Sequence, residues 1–242
     1  MNIATKRRAL PGTPISVNAC WGVAAILLTW TFAIHFRDEG PDLPQLAYWA
    51  LGAGATLAIF ACLYLYEMGH LVVARANGIR VRRVIRFQLG GSTELETPPA
   101  SARAELLIAS AGPAVSGVLG AFFWYLGLLA REASWATDLV LLLNLLAWTN
   151  AVLLVFNLLP VLPLDGGRVL RASLWACTAN RERATRWTVR IGFAFASLLI
   201  AFGTICYFKH HVVLAAWTGL TGVGLALIGP VLKEWAGEGE AA

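Results

Sequence analysis

A chain of 242 residues that is 58% hydrophobic and only 14% charged, with a mean hydropathy of +0.65, lies far from the composition of a water-soluble domain. It has the composition of an integral membrane protein. Its formal charge of +5 and pI near 9.3 come with no nucleic-acid motif, so nucleic acid is excluded as a partner and the lipid bilayer is the expected environment.

A hydrocarbon core of about 30 Å asks for roughly 20 apolar residues of helix. Six segments approach that length: 17–36, 46–66 (continuing to about 76), 106–129, 139–159, 188–208 and 212–232. They define a single membrane-embedded domain over 1–242, with a cytoplasmic N-terminal segment 1–16 and a C-terminal tail 233–242. The first segment is longer than a signal-peptide core and lacks a small-x-small cleavage site, so it is expected to be retained.

Loops rich in Lys and Arg stay in the cytoplasm. With Lys6, Arg7 and Arg8 inside, six crossings also place 75–103, 168–190 and the tail inside, which leaves only Arg37, Arg131 and Lys209 outside. The expectation is a multi-pass protein of a prokaryotic plasma membrane with both termini cytoplasmic. Internal repeat symmetry, the mark of many transporters, is not visible.

After the second segment the period changes. Val81, Ile85, Phe87 and Leu89 alternate with Arg82, Arg86 and Gln88, Gly90-Gly91-Ser92 is turn-like, and Thr93-Glu94-Leu95-Glu96 alternates again before Pro98-Pro99. The predicted fold class is therefore an all-α polytopic membrane protein of six transmembrane helices, with a small interfacial β-hairpin or ribbon after the second helix. Cys20, Cys62, Cys177 and Cys206 show no metal or disulfide spacing and are expected to pack as apolar residues. Cys62 shares a helix face with Tyr66 and His70, but it lies about 12 Å from His70 along the axis, too far to ligate one ion with it.

Ionisable groups this deep in apolar helices are costly and are usually paired or functional. Glu67 and His70 end the second segment, and Asn157 and Asp165 end the fourth, which returns to the same side. His70 and Asp165 are suited to share a metal ion, with an acid three residues before the histidine placed to act on bound water. The stretch Tyr66-Glu67-Met68-Gly69-His70 matches the zinc-binding H-E-x-x-H helix except that tyrosine takes the first histidine position.

The run Phe156-Asn157-Leu158-Leu159-Pro160-Val161-Leu162-Pro163-Leu164-Asp165-Gly166-Gly167-Arg168 resembles the F-N-L-L-P-x-x-P-L-D-G-G-R signature of the site-2 proteases, the intramembrane zinc metalloproteases. Leu89-Gly90-Gly91, Glu105 and Ala111-Gly112-Pro113 resemble that family's interfacial strand region and the start of its third helix. The resemblance covers roughly residues 60–175, and no CBS-type or PDZ-type domain fits in what remains. It implies one Zn²⁺ held by His70 and Asp165, with Tyr66 at the site of the other histidine ligand. It implies Glu67 as the general base for the attacking water and Asn157 as a substrate or oxyanion contact. Phe87, Leu89 and Gly90 would lie on the strand that receives a transmembrane protein substrate.

No other histidine is positioned to replace the missing ligand, because His35, His210 and His211 are expected near the outer face. A phenol ordinarily keeps its proton to about pH 10 and must lose it to bind a metal. The expected function is thus an intramembrane metalloprotease scaffold, acting in regulated intramembrane proteolysis, that Tyr66 makes weak or inactive. The alternative is a non-catalytic pseudoprotease that binds transmembrane helices as a regulator. Oligomeric state is open.

Overall fold

The computed structural model describes residues 19–79, 81–83, 94–95, 98–211, 216 and 218–225. Its elements are α1 (Ala19–Glu39), α2 (Gln45–Ala76), β1 (Val81–Arg83), β2 (Glu94–Leu95), α3 (Ala102–Glu132), α4 (Thr137–Asn157), α5 (Asp165–Thr178) and α6 (Arg181–Phe208). A further helical stretch covers 218–225. Among the described residues four helices, α2, α3, α4 and α6, are long and apolar enough to cross a membrane. The sixth expected span, 212–232, falls largely outside the described residues. β1 and β2 pair antiparallel, with Val81 opposite Leu95 and Arg83 opposite Glu94, and most of the expected ribbon between them lies outside the described residues.

The basic stretch 168–190, expected as a loop with the fifth span beginning at 188, is not a loop. Instead, α5 occupies 165–178 and α6 starts at Arg181. At 14 residues α5 is about 21 Å long, too short to span. Its arginines, Arg168 and Arg171, gave it the look of a loop, yet Val169, Leu170 and Ala172 give this short helix an apolar side.

The helices pack in sequence, α1 on α2, α2 on α3 and α3 on α4, with α5 against both α3 and α6. Buried residues on α2 recur at helical spacing, from Tyr48 through Gly52, Ala55, Ile59, Cys62 and Tyr66 to His70 and Ala74. Outward residues remain large and apolar, as in Leu57, Val118, Val155 and Leu198, each at least 65% exposed, which suits contact with lipid tails. Ser101 caps α3 by accepting from the Ala104 N–H at 3.2 Å, and Asn180 caps α6 by accepting from the Arg183 N–H at 2.8 Å.

Hydrocarbon offers no hydrophobic drive between helices, so close contact depends on small residues and polar pairs. At the α1–α2 crossing a Cβ on Gly52 would stand 2.5 Å from the Thr29 carbonyl oxygen and 2.9 Å from Ala33 N. Beside it, the Thr29 hydroxyl donates to Thr56 Oγ1 at 3.1 Å, and Thr56 donates to the Gly52 carbonyl at 2.9 Å. Gly54, two residues on, has nothing within 4 Å of such a Cβ. Gly52→Leu is therefore expected to lower stability by about 1–3 kcal/mol through overpacking, while Gly54→Leu costs nothing, as read by chemical unfolding of the two variants in detergent.

Candidate active site

The site is assembled where the C-terminal end of α2, the N-terminal end of α3 and the first turn of α5 meet. Tyr66 and His70 stand one turn apart on the buried face of α2, with ring centroids 5.1 Å apart in an edge-on arrangement. Tyr66, Glu67, His70 and Asp165 are all less than 9% exposed. The His70 Nδ1–H faces the Ile108 carbonyl of α3 at 2.7 Å; a carbonyl only accepts, so Nδ1 carries a proton, and Nε2 points at the site, where it can donate to a carboxylate when the ring is doubly protonated. Nε2 lies 3.1 Å from Asp165 Oδ2. The Tyr66 hydroxyl donates to that same Asp165 oxygen.

Asp165 is brought within reach by the turn that follows α4. The chain leaves α4 at Asn157, folds back through 158–164 with a cis Leu162–Pro163 bond, and enters α5 at Asp165. The loop is closed by Val161 N–H donating to the Leu159 carbonyl at 2.8 Å and Leu164 N–H to the Val161 carbonyl at 2.9 Å. Its backbone presses directly on α5. A Cβ at Gly166 would collide with the Leu158 carbonyl group, and one at Gly167 with the Val161 carbonyl group and Leu162 N. The two glycines after Asp165 are thus the residues that let the loop lie flat on the helix start. Asp165 in a first helical turn also sits favourably at the positive end of the helix dipole, and Arg168, one turn on, approaches its other oxygen at 3.4 Å.

Two supports, the Ile108 carbonyl and the pairing of Arg171 with Glu105, have no signal in the sequence. Ile108 acts through its backbone, which has no sequence signature. Glu105, fully buried at the start of α3, accepts from Arg171 of α5 through Nε at 2.8 Å and also through the terminal guanidinium nitrogen. Arg181, which packs over the Trp175 ring, stands 3.9 Å from its second oxygen. Helix α3 therefore holds both sides of the site, His70 through Ile108 and α5 through Glu105. The sequence marked Glu105, but not its partner.

Among the other expected site residues, Asn157 is half-buried at the end of α4 with its amide nitrogen donating to the Leu153 carbonyl at 2.9 Å. Phe87, Leu89 and Gly90 lie outside the described residues. His35 lies near the far end of α1, beside the start of α2, on the order of 25 Å from Tyr66 along the helix. His210 and His211 follow the far end of α6.

A catalytic zinc takes three protein donors and keeps a fourth position open. Here His70 Nε2 and Asp165 Oδ2 converge, but the third position holds a phenol whose proton is already engaged by Asp165. Among the described residues no three His, Cys, Asp or Glu side chains gather to hold an ion. The donor set does not fit a catalytic zinc while Tyr66 is present.

A model of peptidase family M50 matches residues 54–132 and 128–199. Rip3 of Mycobacterium tuberculosis is 36% identical over 208 residues, 85% of this chain and 53% of its own length. The protein sll0528 of Synechocystis sp. is 34% identical over 225 residues, 92% of this chain and 58% of its own. Both carry zinc metalloprotease names, and the chain spans little more than half the length of each. A solved site-2 protease from Methanocaldococcus jannaschii shares the fold, with a TM-score of 0.55 and 22% identity over 90% of this chain and 93% of that one.

The floor under the two rings is Gly112 of α3. A Cβ there would overlap His70 Nε2 and come within 2.8 Å of Tyr66 Cε1, whereas one on Gly117 meets only Leu154 Cδ2 at 3.8 Å. Gly112→Ala is expected to destabilise by roughly 1–3 kcal/mol, whereas Gly117→Ala is neutral or stabilising by up to about 1 kcal/mol because alanine favours helix. Parallel denaturant titrations of the two variants check this.

Proposed function

Because this chain belongs to peptidase family M50, the site-2 proteases, we propose that it is an intramembrane metalloprotease scaffold that still receives transmembrane segments but hydrolyses peptide bonds weakly or not at all. The observation that carries this reading is the hydrogen bond from Tyr66 to Asp165. It engages one of the two remaining metal donors and stands where a third should be. In this reading His70 and Asp165 are what is left of a zinc-ligand set, and Glu67 is the buried acid–base group beside them. Asn157 contacts the substrate backbone. The ribbon from Val81 to Glu96, carrying Phe87, Leu89 and Gly90, adds a strand to an unwound substrate segment and so keeps its backbone hydrogen-bonded outside a helix.

The same bond favours a second reading, a pseudoprotease that binds transmembrane helices and regulates without cleaving them, because it ties the site shut. In either case the reading has six spans with both ends of the chain cytoplasmic. Charge supports this: Arg75, Arg103, Arg168, Arg171, Arg181, Arg183, Arg186 and Arg190 fall at the end of the helices that holds the site, against Arg37, Arg131 and Lys209 at the other.

Single cysteines placed in 38–44 and 131–136 of an otherwise cysteine-free chain are expected to react with an impermeant reagent in sealed cells. Protection of both would reverse the orientation.

Tyr66→His supplies a third donor next to His70 and Asp165. Bound zinc is expected to rise from well below one toward one per chain, and cleavage of model transmembrane substrates to rise with it. Adding Glu67→Gln should abolish that cleavage while largely sparing the metal. An unaltered chain that already holds one tight zinc and cleaves as fast as Tyr66→His sinks the impaired-site reading. A zinc-loaded Tyr66→His that cleaves nothing across a broad panel selects the regulator.

A further inference from the structure

In a metal site, the ion does mechanical work as well as chemistry, since it ties together the elements that supply its ligands and its binding energy becomes folding energy. Here those elements are α2, which carries Tyr66 and His70, and α5, which begins at Asp165. Without an ion, a carboxylate and an imidazole buried side by side would leave polar groups short of partners, at a cost of several kcal/mol for an isolated buried charge.

That shortage does not arise. Asp165 Oδ2 is met by the Tyr66 hydroxyl and by His70 Nε2, its Oδ1 faces Arg168 at 3.4 Å, and His70 Nδ1 is taken up by Ile108. None of the polar atoms of Tyr66, His70 or Asp165 is among the buried atoms lacking a partner. A phenylalanine would fill the same space without completing this set, so the hydroxyl is what the position gains from tyrosine.

Building on the impaired-site reading, we propose that the Tyr66–Asp165 hydrogen bond is a metal-independent cross-link between α2 and α5, which holds the start of α5 in place without an ion. The protein is then stable without zinc, and its α4–α5 turn is fixed by Tyr66 rather than by a ligand that can be lost.

The test compares thermal unfolding of the full chain in detergent, in EDTA and in zinc sulfate, with hydrogen exchange over residues 159–168. The unaltered chain is expected to unfold at the same temperature in both solutions. Tyr66→Phe should lower the midpoint by roughly 3–10 °C in both and speed exchange at 159–168 more than elsewhere. Tyr66→His should be similarly lowered in EDTA but recover in zinc. If Tyr66→Phe leaves both the midpoint and local exchange unchanged, the cross-link is refuted while the impaired-site reading stands. If the unaltered chain loses stability in EDTA and regains it in zinc, the impaired-site reading falls and the cross-link with it. Should Tyr66→Phe yield no folded protein, Asp165→Asn takes its place, because its amide oxygen still accepts from the phenol. It is expected to fold and to melt above Asp165→Ala, and equal melting of the two overturns the proposal.

Discussion

Among the described residues, Glu67, His70, Glu105 and Asp165 are buried between helices in a chain built for hydrocarbon. Burying a charge without a partner costs more than most single packing contacts return. The arrangement that meets this demand is a triangle of polar contacts. His70 ties α2 to α3 through the Ile108 carbonyl, Glu105 ties α3 to α5 through Arg171, and Tyr66 ties α2 to α5 through Asp165. Each side joins a different pair of helices, so no two of them can shift without breaking at least one contact. The tight glycine-lined turn before α5 belongs to the same constraint, because it delivers Asp165 to the corner where two of the sides meet.

What could be read from the sequence divides along the same lines. The spans now seen as α2, α3 and α4 were legible because each is a long apolar run whose length answers to the thickness of a bilayer. The convergence of His70 and Asp165 was legible because polar residues inside such runs are rare enough to stand out. Helix α5 was not, since Arg168 and Arg171 satisfy a loop rule based on charge while the apolar side of a short amphipathic helix gives little signal by length. The role of Ile108 had no signal at all, because any residue supplies a carbonyl. Arg171 was visible only as one basic residue among many, and its pairing with Glu105 depends on how α3 and α5 cross.

The membership of this chain in peptidase family M50 and the chemistry at its site concern different parts of the molecule. The family match covers residues 54–132 and 128–199, which include most of α2, all of α3, α4 and α5, and the polar corner between them. Under the proposed reading, whether a bond is hydrolysed depends on one donor atom. A fold can keep the first while losing the second. In the proposed reading, the residue that stands in place of a donor also supplies a hydroxyl to the carboxylate facing it.

Gly112 adds a last consequence. The bare backbone of α3 lies against the edges of both aromatic rings, and any side chain there would intrude on them. The clearance it leaves is a flat slot, wide enough for a phenol and therefore wide enough for the smaller imidazole. As a mould, the site is indifferent to which of the two rings occupies position 66. Exchanging them alters the chemistry of the corner without requiring its walls to be recut.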